Sequence, residues 1–280
     1  MNKIMKERRI MRLVLLVTMM LPMNMFAQKD DFGMWFSAGV DKKINSKWNV
    51  GIEGEFRTRD NMKTADRWSL DVSGTYKVTN WLKASAGYVL LYDNNVKNTY
   101  YDDPEEDVDE DTGKPYGYFG KVKRHAQYWG VRHRFNVSLS GSVKLGRFNV
   151  SLRERWQYTY RPEKTVTSRT KYTYLVDGTL KSTTIDEDPK TYNGKGKSVL
   201  RSRLQVGYDI PRCKIDPYVS VEAYNNWSIE KVRYTAGAEW KIAKTHVFDL
   251  YYRYQNIRNN DSLGDDPDIH IIGLGYKYKF

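Results

Sequence analysis

The sequence predicts an all-β fold: a transmembrane antiparallel β-barrel of about 10–12 strands, with short periplasmic turns and long external loops, preceded by a signal peptide. Three observations carry this. Residues 272–280 place Ile272, Leu274, Tyr276, Tyr278 and Phe280 at every second position, with Gly273, Gly275, Lys277 and Lys279 between them. A period of two is a strand with one apolar and one polar face. The same alternation recurs in segments about as long as a tilted membrane-crossing strand. The first 27 residues read as a leader for export: Lys3, Lys6, Arg8, Arg9 and Arg12, then the apolar run 13–21, then Ala27 before Gln28. The chain is therefore divided into a signal peptide over 1–27 and an outer-membrane β-barrel over 28–280.

Along the chain the strands are expected at 32–41, 48–57, 68–77, 82–92, 129–139, 148–160, 200–210, 215–224, 232–242, 248–254 and 269–280. No stretch beyond the leader carries a helical stripe of comparable length. Short connections fall at 41–47, 78–80, 140–146, 211–214 and 243–245, and long ones at 58–67, 93–124, 161–197, 225–230 and 256–268, the alternation of a membrane barrel. The 161–197 loop holds its own hairpin signal, Asp177-Gly178 between 172–176 and 179–185, expected to stand above the barrel. Eleven segments leave a difficulty of parity, because single-chain bacterial barrels have even numbers of strands. Either one strand is missing from the count or 32–40 is not an ordinary wall strand.

Composition agrees with a barrel. A mean hydropathy of −0.71 excludes a helical membrane protein but not a barrel, where only alternate residues are apolar. Of the formal charge of +12, the leader holds +4, leaving +8 for residues 28–280. Export argues against nucleic acid as the partner of that charge. The single cysteine, Cys213, excludes an intrachain disulfide framework and a thiolate metal cluster. Eight Trp and twenty-two Tyr, several at strand ends, suit the two membrane interfaces.

If the apolar face meets lipid, the alternate residues face the lumen. Arg132 and Arg134, Arg153 and Arg155, and Arg201 and Arg203 lie on three sequential strands and are expected to form a basic ladder. The inward acidic set is Glu53, Glu55, Asp71, Glu222, Glu239 and Asp249, with Arg233 and Arg253 among them. Two readings of such a lumen stay open: a water-filled passage that guides anions, or a closed interior in which Arg and acid pair. His133 and Glu154 break the pattern, since both point toward lipid, and they are expected opposite or one step diagonal about the 140–146 turn. Residues 102–111 hold eight acids without the order of a calcium-binding loop and read as a solvated external loop.

A lipid hydrolase needs a serine oriented by histidine. The four histidines (125, 133, 246 and 270) stand in no such motif, and no G-x-S-x-G or H-E-x-x-H is present. No catalytic residue, metal or cofactor is therefore expected. Tyr276, Tyr278 and Phe280 are expected to be read by the barrel-assembly machinery as an insertion signal. The remaining expected partners are outer-membrane lipid and lipopolysaccharide. The function expected is a non-enzymatic barrel, either a narrow pore for small anionic solutes or a structural surface barrel. The alternatives are an outer-membrane lipid hydrolase and a loop-mediated adhesin or partner-binding module.

Residues 31–60 (DFGMWFSAGVDKKINSKWNVGIEGEFRTRD), 216–225 (DPYVSVEAYN), 249–255 (DLYYRYQ) and the 276–280 ending resemble a family of Bacteroidota outer-membrane barrels known as domain of unknown function 2490. The resemblance spans the mature chain. It implies an exported β-barrel with no assigned activity and supplies no functional residues.

Overall fold

The computed structural model describes residues 30–101, 121–175, 178–243, 245–258 and 267–280. The expected leader at 1–27, the acidic 102–111 segment and Asp177 lie outside these. The strands are β1 (Asp31–Lys43), β2 (Trp48–Arg59), β3 (Thr64–Lys77), β4 (Leu82–Tyr100), β5 (Val122–Leu145), β6 (Phe148–Arg161), β7 (Lys164–Val166), β8 (Arg169–Tyr174), β9 (Leu180–Asp186), β10 (Lys190–Tyr192), β11 (Lys195–Tyr208), β12 (Ile215–Asn226), β13 (Ser228–Ile242), β14 (His246–Ile257) and β15 (Ile269–Lys279).

Eleven of these make a closed wall in the order β1 to β6, β11 to β15, with β4 paired to β5 and β15 paired back to β1. The parity difficulty has a structural answer. Residues 32–40 lie in the wall but not as an ordinary strand, because β1 pairs with β15 in parallel, from Asp31 opposite Ile269 to Asp41 opposite Lys279. Neighbours along an antiparallel meander alternate in direction, so an odd count brings first and last strands together pointing the same way. The ring then closes through one parallel ladder, which corrects the wholly antiparallel expectation.

Stagger fixes the width. The path of directly opposed residues from Asp31 runs through Ile269, Gln255, Arg233, Glu222, Arg203, Arg153, Ser140 and Lys83 to Lys77. It returns to the line of β1 about fourteen residues further on; with strands about 4.8 Å apart, that stagger gives a tilt of about 40° and a wall radius of about 11 Å.

Outward positions carry the apolar alternation. Val50, Ile52, Leu70, Val72, Leu152 and Leu250 are all exposed. Aromatic pairs flank the band, among them Trp48 with Tyr76 at 4.9 Å and Phe56 with Trp68 at 4.3 Å between ring centres. Apolar surface this extensive is rare on a soluble monomer and marks a face that meets a membrane or another partner.

The lengths of the connections differ from expectation mainly on one side, and the β5–β6 turn on the other side is shifted to 146–147. The turns at 44–47, 78–81, 146–147, 209–214 and 243–245 are short, as the sequence implies. On the other side two expected long loops are tight. Residues 60–63 join β2 to β3 through Asp60, Asn61 and Met62, all at positive φ, and Trp227 alone, at φ 63°, separates β12 from β13. The 93–124 connection is also shorter than expected, because β4 and β5 stay paired as far as Tyr100 opposite Val122. The expected hairpin exists as β8–β9. It is joined to the wall, with β8 pairing to the top of β5 at Arg124 and His125.

Candidate functional site: the charged lumen

Inward positions enclose a cavity of about 860 Å³. Seventeen Lys and Arg side chains line it against eight Asp and Glu. All six ladder arginines (132, 134, 153, 155, 201 and 203) and all six acids (53, 55, 71, 222, 239 and 249) are among its lining residues. Register brings the arginines together: Arg153 is directly opposite Arg203, and Arg155 directly opposite Arg201.

Glu222 on β12 is the centre of one cluster. Its carboxylate accepts from Arg153 at 2.6 Å, from Arg201 at 2.9 Å and from the Tyr224 hydroxyl at 3.1 Å, with Arg233 at 3.8 Å. Charge-assisted bonds of this kind are among the strongest a side chain makes. Beside it, Trp35 on β1 projects inward and is met by the guanidinium of Arg57 at 3.6 Å and those of Arg233 and Arg253 at 5.0 Å. Arg57 also donates to Glu55 at 2.6 Å. Trp35 is a residue the sequence reading missed. It lies in the inward register of β1, and an apolar ring there is the signal that could have found it.

Other acids are used locally. Asp93 binds Arg67 and lies 3.0 Å from Arg132. Lys277 lies 3.2 Å from Glu53 and 3.7 Å from Asp41. Asp249 accepts from the Tyr218 hydroxyl at 3.0 Å, and Glu239 stands 3.9 Å from Lys241. Asp71 lines the same cavity from β3. The rest of the ladder is less well matched. Arg134 donates to Thr159 at 3.1 Å, while Arg155 and Arg203 have no carboxylate within ion-pair distance among the described residues. Among the described residues the Nε atoms of both are buried without a hydrogen-bond partner, as are those of Arg132, Arg153 and Arg201.

His133 and Glu154 are not paired. Register sets His133 opposite Tyr160 and Glu154 opposite Leu139. The turn between their strands is the two residues Gly146 and Arg147, with Gly146 at φ 60°, rather than a loop centred on residue 143; that displaces the pairing by six residues. His133 bonds the Tyr88 hydroxyl at 2.7 Å instead, and Glu154 accepts from Ser202 at 2.6 Å. The other histidines bond Asn98 (His125), Tyr276 (His246), and Tyr252 with Asp30 (His270). Tyr276 and Tyr278 lie on β15, and the Phe280 amide donates to Asp41 at 3.0 Å. Among the described residues no group of three His, Cys, Asp or Glu is arranged to hold a metal.

Among solved structures, the chain is similar to the beta domain of the Bordetella autotransporter BrkA, at 12% identity and a TM-score of 0.45, covering 84% of this chain and 82% of that one. It is also similar to the translocator domain of the autotransporter NalP from Neisseria meningitidis, at 10% identity and a TM-score of 0.42, covering 77% and 71%. A third, the CymD monoaromatic hydrocarbon channel, has 8% identity and a TM-score of 0.34, covering 81% and 82%. No curated protein matches the chain in sequence. Residues 32–265, nearly the whole wall, match the family described as Protein of unknown function (DUF2490), and the chain belongs to that family.

Proposed function

We propose that this chain is a non-enzymatic outer-membrane β-barrel whose lumen is a narrow, anion-preferring passage for small solutes. The observation that carries this is the lining of the cavity, with seventeen bases against eight acids inside a wall whose outer face is apolar. A surplus of fixed positive charge in a low-dielectric tube concentrates anions and repels cations. The leader at 1–27 serves export in this reading, and the apolar belt with its aromatic flanks serves contact with outer-membrane lipid and lipopolysaccharide. The long connections then face outward.

A second reading, a structural surface barrel, draws on a different observation. The Glu222 cluster and the Trp35 stack share Arg233 and both fill space in the lumen. Planar-bilayer recording of the purified, folded chain separates the two. Discrete conductance with a reversal potential on the anion side is the expected result. A silent bilayer from protein that still shows heat-modifiable migration on gels would leave the structural barrel.

A further inference from the structure

Four arginines meet on β6 and β11 as two directly opposed pairs, Arg153 with Arg203 and Arg155 with Arg201. Like charges directly opposite one another destabilise a strand pair. One diagonal of this square is neutralised, because Arg153 and Arg201 both donate to Glu222. Among the described residues the other diagonal, Arg155 and Arg203, has no carboxylate within ion-pair distance, and Asp71 and Asp249 act on it only at longer range. Ser138 is the residue opposite Arg155 on β5, and its hydroxyl is engaged with Ser85 at 2.9 Å. Opposite Arg203 on β12 is Glu222, whose two oxygens are already held by Arg153, Arg201 and Tyr224. Both unmatched side chains line the cavity.

A guanidinium presents a planar fork of N–H donors that fits carboxylate or phosphate oxygens. Two such forks at diagonal spacing suit an anion with at least two oxygens. Glu222 shows what this wall holds when the protein supplies the anion itself.

We propose that Arg155 and Arg203 form an oxyanion-binding site in the lumen, taking a small, multiply charged phosphate or carboxylate solute in the way Arg153 and Arg201 take Glu222. This rests on the reading of the lumen as a water-filled passage, and it adds a discrete site to a diffuse basic field.

The test is equilibrium dialysis of the folded full chain in detergent with radiolabelled inorganic phosphate, with succinate and chloride as competitors. Saturable binding of one phosphate per chain is expected, displaced by succinate and not by equal chloride if the site takes both oxyanion types. Displacement by phosphate alone would assign it to phosphate-type solutes. Arg155→Gln and Arg203→Gln should each weaken binding by about tenfold, the scale of one lost charge-assisted bond pair. Arg155→Lys, which keeps the charge and loses the fork, should fall between. Lys83→Gln, an inward base outside the cavity lining, should change nothing. Heat-modifiable migration confirms that each variant is folded. Absence of saturable binding to the wild-type chain, or equal loss in Lys83→Gln, overturns the site. Anion conductance without phosphate binding removes the site and leaves the passage; binding without conductance removes the passage and leaves the site.

Discussion

The lumen has two unlike walls. On β5, β6 and β11 the inward residues include the six ladder arginines, and on β6 and β11 arginines oppose arginines across the strand pair. Across the ring, β13, β15 and β1 turn Gly237, Gly273, Gly275 and Gly39 inward. A Cβ added to Gly273 would lie 1.9 Å from Cζ of Tyr251, and one added to Gly237 would lie 2.8 Å from the Tyr218 ring. The tyrosine rings therefore lie flat across glycine backbone instead of standing into the lumen. One wall gathers the six ladder arginines, while the other mixes glycines with Trp35, Arg233 and Lys277. The shape of the lumen depends on side chains missing from the glycine wall as well as on those present on the arginine wall.

Removing the central carboxylate is the strongest way to break the arginine wall. Glu222→Gln leaves Arg153, Arg201 and Arg233 without their shared anion, and should cost about 3 kcal/mol, the scale for stranding one side of a buried pair. The urea midpoint of the barrel in lipid vesicles measures this. The paired control is Glu239→Gln, whose carboxylate is 40% exposed and 3.9 Å from Lys241; its effect should be close to zero. Equal midpoints for the two variants would mean that Glu222 is solvated and does not organise the wall.

The glycine wall should fail differently. Gly273→Ala forces the Tyr251 ring off the wall and should cost about 2 kcal/mol through overpacking. Tyr251→Ala in the same chain should recover most of that loss, since the two changes share one contact. Additive losses in this double variant, read from the same unfolding midpoints, would show that the ring and the glycine are not coupled.

The smallest effect lies outside both walls, where a charge cluster meets solvent. Asp186 on β9 accepts from Arg124 at 2.6 Å and from Arg169 at 3.0 Å, tying the β8–β9 hairpin to β5. The bond from Arg124 is the main cause that holds the Asp186 carboxyl below its ordinary range. A depressed carboxylate adds stability that is complete above its unfolded value and is lost as pH falls through its folded value. Amide exchange in β8 and β9 should therefore speed up, relative to the barrel wall, only on acidification below the usual carboxylate range. Asp186→Asn should remove that dependence, and a hairpin equally protected in both chains at every pH would sink the assignment.

Much of the wall was legible because alternation is a local property. Each of the eleven wall strands carries its own apolar stripe, so the inward and outward sets follow from single segments read alone. The tight turns at 60–63 and at Trp227 were not legible. Asp60, Asn61, Met62 and Trp227 adopt positive φ with side chains that do not announce it, and the loops there were overestimated. The upper reaches of β4 and β5 were missed for another reason. Asn94 and Asn95 are buried there and bonded to Arg59, Gln127 and Arg132, so both faces meet protein and the alternation disappears. A six-residue error at one turn was enough to pair His133 with Glu154 wrongly, because register carries a turn's length along the whole strand.

By itself, the sequence determined which residues face the lumen and which face outward, because the pleat sends successive side chains to opposite faces wherever the strand is placed. Only the tertiary structure decided how the ring closes and which arginines share Glu222. Closure through a parallel β1–β15 ladder belongs to the count and stagger of all eleven strands together. The choice between Arg153 or Arg201 and Arg155 or Arg203 depends on the register of β6, β11 and β12, which turn lengths and stagger set and no single strand contains.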